Sequence, residues 1–132
     1  MPRVIHTEIQ KRFSDIDSFR HVNNVSQQMY FDVGKSDFLD RLLGHEILFA
    51  PTRIITAATN TSYMGQIRLE DRIEVTTEVE RIGTKSLTLL QRLVAADGSV
   101  RSESRSVMVA FDFEAQQSVP VPDAWRKALE AE

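Results

Sequence analysis

The chain has 132 residues, of which 42% are hydrophobic and 27% are charged, and its formal net charge is −3. These values suit a soluble globular domain and argue against nucleic acid as the main partner, because binding along a phosphate backbone depends on clustered Lys and Arg. The sequence contains no cysteine, which excludes disulfides, a catalytic thiol and thiolate metal ligands within these residues.

Nothing in the sequence predicts a membrane segment or a second domain. No apolar run approaches the roughly 20 residues of a membrane-spanning helix, and the N-terminus lacks the apolar core of a signal peptide. We therefore expect a cytoplasmic protein without a membrane partner. Residues 1–132 show no repeat, linker or break in composition, which predicts a single domain.

A strand predicted over residues 5–13 leads into a polar loop. Ile5, Ile9 and Phe13 share one face of this strand. Residues 12–24 read Arg-Phe-Ser-Asp-Ile-Asp-Ser-Phe-Arg-His-Val-Asn-Asn, which places two carboxylates, one imidazole and two carboxamides directly before an amphipathic segment. These polar side chains are therefore expected to lie at the start of a helix.

The N-cap of this helix is predicted to be Asn24, because Asn24 followed by Gln27 has the spacing of a capping box. The backbone N–H groups just beyond an N-cap lack helical partners and attract developing negative charge. A nearby carboxylate could act as general base or nucleophile toward a carbonyl whose oxygen the helix end polarises. A carboxylate and a helix N-terminus are the minimum set of groups that acyl transfer requires.

The predicted helix is long and amphipathic, and Gly44 follows it as a typical residue beyond a helix C-terminus. The apolar residues near helical spacing are Val25, Met29, Val33, Leu39 and Leu43. Aromatic residues between them widen the apolar arc. We therefore expect the helix to be covered on most sides.

Four strands are predicted after the helix, over residues 53–63, 73–82, 86–95 and 99–113. Alternation is clearest in the second of them, where Ile73, Val75 and Val79 face one way and glutamates face the other. Asp97 and Gly98 predict a hairpin turn between the last two strands. The second, third and fourth of these strands are therefore expected to form a β-meander.

The order strand, helix, four strands indicates an α+β fold in which one long helix covers one face of an antiparallel sheet. The tail after Pro122 has two interpretations. Trp125 and Leu129 are four residues apart and could pack a short helix onto the body. Alternatively, the tail lies on the surface with only Trp125 anchored.

The polar loop also carries a family resemblance. Residues 15–24 resemble the Asp-x-Asp-x-x-x-His-Val-Asn-Asn signature of hot-dog-fold thioesterases of the 4-hydroxybenzoyl-CoA thioesterase family. Bacterial long-chain acyl-CoA thioesterases and plant acyl-carrier-protein thioesterases share the His-Val-Asn-Asn form. The resemblance implies a hot-dog fold, with a five-stranded antiparallel sheet wrapped around the central helix. It also implies a homodimer or homotetramer whose active sites lie where two chains meet.

In that family the second Asp of the pair is the usual catalytic carboxylate, which here is Asp17. Asp15 is expected to be mostly structural, since Asp commonly accepts local backbone hydrogen bonds in loops. The plant relatives carry a catalytic Asn two residues after the second Asp, whereas this chain has Phe19. The resemblance therefore assigns Asp17 as the catalytic carboxylate but supplies no catalytic Asn at residue 19.

The rest of the loop supplies further candidates. His21 either packs the loop or orients water or the thioester as a second catalytic group. Asn23 is a candidate substrate contact, although a carboxamide more often ties a loop together than reacts. The backbone N–H of Asn24, or that of Val25, is expected to donate to the thioester oxygen as negative charge builds there.

Two regions outside the loop are implied to contact the substrate. Gln66 lies where related thioesterases supply a carboxylate, and it could position water, although a surface Gln in a loop is the simpler interpretation. Gly83, Thr84, Lys85 and Ser86 form a predicted turn that in the family lies near the pantetheine arm and phosphates of coenzyme A. By itself this composition is typical of a solvated hairpin turn.

The leading hypothesis is hydrolysis of an acyl-CoA thioester to a free acid and CoA, with Asp17 as general base or nucleophile. No separate cofactor is expected, because CoA is part of the substrate. No metal is expected either, because two Asp residues do not supply enough oxygen ligands for a hard cation. The alternatives are an acyl-carrier-protein substrate and a non-catalytic domain that binds acyl-CoA. A hot-dog hydratase is disfavoured by the spacing of Asp and His.

Overall fold

The computed structural model describes residues 3–130, apart from the Leu48 side chain, and contains one antiparallel sheet and two α-helices. The strands are β1 (Ile5–Glu8), β2 (Thr52–Tyr63), β3 (Ile73–Ile82), β4 (Ser86–Ala95), β5 (Val100–Asp112) and β6 (Gln117–Ser118). The helices are α1 (Asn24–Leu43) and α2 (Asp123–Glu130), and 3₁₀ turns cover Phe13–Asp15 and His45–Leu48. In the described residues, no helix is both long enough and apolar enough to cross a membrane.

The strands lie in the order β1-β3-β4-β5-β2, and the short β6 pairs with β5. The meander β3-β4-β5 forms the centre, while β1 and β2 form the two edges. β2 pairs with β5 along its whole length, from Thr52 opposite Asp112 to Tyr63 opposite Ser102. The chain therefore crosses from one edge of the sheet to the other between β1 and β2, and α1 makes that crossing.

The alternation predicted for residues 73–82 is confirmed in β3. Ile73, Val75 and Val79 are buried against α1, and the glutamates between them face solvent or the rim. The hairpin turn between β4 and β5 is also confirmed, since the Gly98 N–H donates to the Ala95 carbonyl at 2.9 Å. Gly98 has φ of +87°, which glycine adopts without steric cost.

The core consists of two groups of buried side chains, one under each half of α1. The group under the N-terminal half contains Ile9, Val22, Tyr30, Phe31, Ile67, Ile73, Val75 and Leu93. The group under the C-terminal half contains Phe38, Val79, Leu87, Leu89, Met108 and Leu129. Leu129 belongs to α2 and is fully buried, so the tail forms a packed helix rather than a surface extension.

Two sequence predictions about these elements are wrong. The first strand ends at Glu8 instead of residue 13, and Phe13 begins a 3₁₀ turn with 85% of its surface exposed. In α1 the stripe Val25, Met29 and Val33 faces outward, with exposed fractions of 72%, 46% and 51%. The helix is therefore covered by the sheet and by α2 but is open along this stripe.

The buried face of α1 was predicted only in part, because it includes small and polar residues as well as the aromatic residues of the predicted arc. Its buried members are Ser26, Gln27, Tyr30, Phe31, Gly34, Lys35 and Phe38. Gly34 permits a close approach to β3, because a Cβ at this position would lie 2.5 Å from Val75 Cγ1. Packing distance, rather than hydrophobicity alone, therefore selects the residue at this position of the helix.

Candidate active site

The candidate site is built on the loop between the first 3₁₀ turn and α1. The Asp17 N–H donates to the His21 carbonyl at 3.0 Å, and the Arg20 N–H donates to the Asp17 carbonyl at 3.0 Å. Ile16 and Val22 form a β-bridge that closes the base of the loop. The loop therefore folds back on itself and holds Asp17 and His21 side by side.

Asp15 anchors this loop to α1. Its carboxylate is 1% exposed and accepts hydrogen bonds from the Tyr30 hydroxyl at 2.5 Å, Ser26 Oγ at 3.1 Å and the Arg12 side chain at 2.9 Å. Burial alone would raise the pKa of Asp15, but the hydrogen bonds from Tyr30 and Arg12 outweigh it and lower the pKa to about 2. Burial and the neighbouring Asp15 carboxylate raise the pKa of Tyr30. Asp15 is therefore held as an ionised structural group.

Asp17 is held differently and keeps one oxygen available. Its Oδ1 accepts the Phe19 N–H at 2.9 Å. Within residues 3–130, Oδ2 accepts no hydrogen bond. At Phe19 it is the backbone rather than the side chain that contacts this carboxylate.

The N-cap of α1 lies one residue earlier than predicted. The N-cap is Asn23, whose Oδ1 accepts the Ser26 N–H at 2.7 Å, and Asn24 is the first residue of α1. The prediction failed because Asn23 and Asn24 are equally good capping residues and only the backbone distinguishes them, with Asn23 extended. Asn23 thus ties the loop to the helix. Within the described chain, the N–H groups of Asn24 and Val25 donate to no acceptor.

A pocket of about 320 Å³ lies between this loop and the segment after β2. Its lining residues are Asp17, Phe19, His21, Val22, Asn24, Gln27, Tyr63, Met64, Gly65 and Gln66. The Val22 N–H donates to the Ile67 carbonyl at 2.7 Å and joins the two walls. The structure therefore brings together four of the predicted residues, namely Asp17, His21, Asn24 and Gln66.

Gln27 and Tyr63 line the pocket but were not predicted as site residues. Gln27 is buried, its Nε2 donates to the Val22 carbonyl at 3.4 Å, and its Oε1 has no partner in the described residues. The Tyr63 hydroxyl accepts from Gln28 Nε2 at 2.9 Å. Gln27 looked like a capping residue in the sequence, and no local signal sets Tyr63 apart from other strand ends.

The predicted turn at residues 83–86 does not line this pocket within one chain. The pocket lies beside the start of β5, where the Gly65 N–H donates to the Arg101 carbonyl at 2.9 Å. Ser86 instead pairs with Val109, eight residues further along β5, which corresponds to roughly 25 Å at about 3.3 Å per residue. Gly83, Thr84, Lys85 and Ser86 therefore lie at the opposite end of the sheet, where the Arg126 guanidinium donates to the Thr84 carbonyl at 3.1 Å.

A second cavity of about 780 Å³ lies between α1 and β2. Its apolar lining consists of Leu39, Ile47, Ile54 and Met108. Lys35, which is buried, also lines it, and its ammonium lies 3.5 Å from the Asp32 carboxylate and 3.4 Å from Thr56 Oγ1. Among the described residues, no group of three His, Asp or Glu side chains is placed to hold a metal ion.

Comparison with known proteins identifies the family. Residues 12–129 match the model of the Thioesterase-like superfamily. The chain belongs to this superfamily. It is 23% identical over 133 residues to the long-chain acyl-CoA thioesterase FadM of Escherichia coli, covering 96% of this chain and 97% of that protein.

Solved structures of thioesterases share the fold. A predicted thioesterase from Bacillus stearothermophilus superposes with a TM-score of 0.87 at 27% identity, covering 96% of this chain and 94% of that one. A thioesterase from Thermus thermophilus, complexed with coenzyme A and Zn, gives a TM-score of 0.84 at 22% identity, covering 94% of this chain and 90% of that one.

Membership of the Thioesterase-like superfamily confirms two of the predictions. The fold is the predicted α+β hot-dog arrangement, with the two-residue β6 added to the five expected strands. The predicted enzyme class, thioester hydrolase, is confirmed at the level of the superfamily. The superfamily match, over residues 12–129, includes the whole loop around Asp17, together with α1 and the strands from β2 to β6.

Proposed function

We propose that this chain hydrolyses an acyl-CoA thioester to a free acid and CoA, with Asp17 as the reacting carboxylate. One observation carries the proposal. Asp17, with one oxygen held by the Phe19 N–H, shares a pocket with Asn24 at the N-terminus of α1. The pocket therefore combines a base or nucleophile with backbone donors that lack helical partners.

The carbonyl oxygen of the thioester accepts from the N–H of Asn24 or of Val25. When a nucleophile adds to the carbonyl carbon, negative charge moves onto this oxygen, and the end of the helix stabilises it. This stabilisation is greater in the transition state than in the ground state, so it accelerates the reaction.

Asp17 acts by one of two routes. As a general base it takes a proton from water, the resulting hydroxide adds to the carbonyl carbon, and the same proton passes to the departing thiolate of CoA. As a nucleophile it attacks the carbon directly, expels the thiolate and forms a mixed anhydride, which water then hydrolyses. Both routes yield the same acid and thiol.

Other residues of the pocket support this chemistry. His21 and Gln66 share the pocket with Asp17, and we assign them to orienting water or the thioester. Asn23 acts indirectly, because its carboxamide fixes the first turn of α1 and hence the two backbone donors. No additional cofactor is required in either route, since CoA enters as part of the substrate.

Two relatives support an acyl-CoA substrate. The E. coli relative is named a long-chain acyl-CoA thioesterase, and the T. thermophilus structure contains coenzyme A. The motif at residues 15–24 supports placement in the His-Val-Asn-Asn group of the 4-hydroxybenzoyl-CoA thioesterase family.

We also propose that the working enzyme is a homodimer or a homotetramer built on β2. Residues 56–60 of this edge strand are exposed, and an open edge invites pairing with another strand. If two copies of β2 pair antiparallel, the Thr52 end of the second copy lies beside the Tyr63 end of the first. The second copy's turn at residues 83–86 then lies at the same end as the Asp17 pocket, where it can contact the ligand.

The test is a hydrolysis screen of short, long and aromatic acyl-CoA thioesters that measures the release of thiol. Asp17→Asn, which is nearly isosteric, should lower kcat by about 10²- to 10⁴-fold without unfolding the protein. Asp97→Asn is a matched control, because Asp97 accepts the Ser99 N–H at 2.9 Å in the same local geometry but lies at a hairpin tip. It should leave kcat unchanged.

Three outcomes would count against the proposal or refine it. Retained turnover in Asp17→Asn removes the assignment of Asp17. Tight binding of acyl-CoA without thiol release at any substrate length supports the non-catalytic alternative. Faster turnover of an acyl-carrier-protein thioester than of the matching acyl-CoA supports the carrier protein as the natural acyl donor.

A further inference from the structure

Arg20 occupies a backbone conformation that normally favours glycine. Its φ is +66°, in the left-handed region, where a residue with a side chain is strained. Glycine adopts this conformation without that cost. The strained position lies between Asp17 and His21, and its N–H closes the loop onto the Asp17 carbonyl. The loop therefore has an arginine at a position where glycine would relieve the backbone strain.

The Arg20 side chain opens onto a cavity that adjoins the Asp17 pocket. This cavity, of about 450 Å³, is lined by Phe19, Arg20, His21, Arg68 and Glu70. Phe19 and His21 also line the Asp17 pocket, so the two cavities adjoin at these residues. Arg20 is exposed, which leaves its guanidinium accessible from solvent.

The charges in this cavity are not neutralised by protein partners. Within residues 3–130, neither the Arg20 nor the Arg68 guanidinium makes a hydrogen bond or an ion pair. Glu70 contributes one negative charge, so the two arginines leave a net charge of +1 when His21 is neutral. A guanidinium offers a planar fork of donors that matches a phosphate group.

We propose that Arg20, together with Arg68, binds phosphate groups of the CoA moiety at the mouth of the Asp17 pocket. This inference rests on the proposed function, which places the thioester carbonyl in the pocket and leaves the phosphorylated end of the substrate outside it. The strain at Arg20 is then offset by binding that glycine could not provide.

The test is Arg20→Gly, which removes the guanidinium and the backbone strain together. The variant should have a higher melting temperature than the wild type, and its KM for acyl-CoA should rise about tenfold or more, the loss expected for a charge-assisted hydrogen bond. For the same acyl group on pantetheine, which lacks phosphate, the two proteins should differ in KM by less than about twofold. On acyl-4′-phosphopantetheine, an intermediate effect assigns part of the binding to the inner phosphate.

Gln116→Gly provides the matched control for the backbone. Gln116 is the other non-glycine residue with positive φ in the described chain, at +55°, and it lies beyond β5, outside both cavities. It should leave KM unchanged for both thioesters. Arg20→Lys keeps the positive charge but loses the paired donors of the guanidinium. It should therefore raise KM for acyl-CoA less than Arg20→Gly does.

Equal changes in KM for acyl-CoA and acyl-pantetheine would overturn the inference, because Arg20 would then act on the shape of the loop. An unchanged KM for acyl-CoA would overturn it as well. If the wild type hydrolyses no thioester, the proposed function fails, and calorimetric binding of CoA tests the phosphate site alone. Binding of CoA that is at least about tenfold weaker in Arg20→Gly, with no such difference for pantetheine, would then still support it.

Discussion

The Tyr30 hydroxyl donates to Asp15 Oδ2 at 2.5 Å and joins the loop that carries Asp17 to the second turn of α1. Ser26 Oγ and the Arg12 guanidinium donate to the other oxygen of the same carboxylate. One ionised side chain therefore fixes the position of the loop relative to the helix whose N–H groups we assign to the thioester oxygen. Because this carboxylate is 1% exposed, its ionisation should affect stability directly.

The first prediction concerns stability at acid pH. The pKa of Asp15 in the folded state is about 2, below its ordinary value of 3.8, so its contribution is present above about pH 4. That contribution, roughly 2 kcal/mol, is lost as the pH falls from about 4 to about 2. Urea denaturation at about pH 6 and about pH 2.5 should show that Asp15→Asn is less stable than the wild type, with the difference shrinking in acid.

Tyr30→Phe is the companion variant for this experiment. It removes the shortest hydrogen bond to Asp15, so the pKa of Asp15 should rise toward its ordinary value. The free energy of unfolding should then depend less steeply on pH between about 4 and 2 than it does in the wild type. A difference between wild type and Asp15→Asn that stays constant over this range would contradict the assigned ionisation.

The second prediction concerns Gly34. Gly34→Ala gains helix propensity of about 1 kcal/mol but forces a Cβ to within 2.5 Å of Val75 Cγ1, and such overpacking typically costs about 1–3 kcal/mol. We expect a net loss of stability in thermal denaturation. Ser36→Ala, at an exposed position of the same helix, should be neutral or slightly stabilising. A more stable Gly34→Ala would mean that α1 can move away from β3 at little cost.

The third prediction distinguishes the two neighbouring asparagines. Because Asn23 is the N-cap, Asn23→Ala should lower the free energy of unfolding by about 1 kcal/mol, whereas Asn24→Ala should change it by less than half of that. Chemical denaturation of the two variants measures both values. The reverse order would make Asn24 the N-cap of α1, as the sequence alone suggested.

The fourth prediction concerns the edge formed by β2. If two copies pair antiparallel through β2, a residue near the middle of the strand lies close to its own copy, because the two-fold axis passes there. Ala58→Glu should therefore bring two like charges together and weaken the dimer, as measured by sedimentation at micromolar concentration. Val107, which pairs with Ala58 from the inner strand β5, offers the control Val107→Glu on the same face.

The wild type is expected to sediment with at least twice the 15.0 kDa mass of one chain. Ala58→Glu should shift it toward one chain, and Val107→Glu should not. A fully active wild type that sediments as a single chain would exclude a shared active site, and with it the contact between the turn at residues 83–86 and the ligand.

The sheet was predictable because its sequence pattern reflects one buried and one exposed face. β3 and β4 have the bounds predicted for them, since apolar and polar residues alternate up to their turns. The buried face of α1 was not predictable in the same way. Gln27 and Lys35 are buried because Val22 and Thr56 accept hydrogen bonds from them, and these partners are far away in sequence or on another element.

The candidate site was predictable only in part, for a similar reason. Asp17 and His21 are only four residues apart in the sequence, so a local motif was enough to predict that both belong to the site. Whether a distant residue joins them depends on the length of the strands. Gln66 follows β2 directly and reaches the pocket, whereas Lys85 follows a ten-residue strand that carries it to the opposite end of the sheet.

The order of the strands sets the order in which the chain can fold. Both edges of the sheet, β1 and β2, are made from the first 63 residues, yet neither pairs with the other, since β1 needs β3 and β2 needs β5. During synthesis from the N-terminus, the inward face of α1 has no sheet to cover it until the meander has been made. We therefore expect the meander, whose contacts are closest in sequence, to form first and the N-terminal half to close around it only after synthesis of β5.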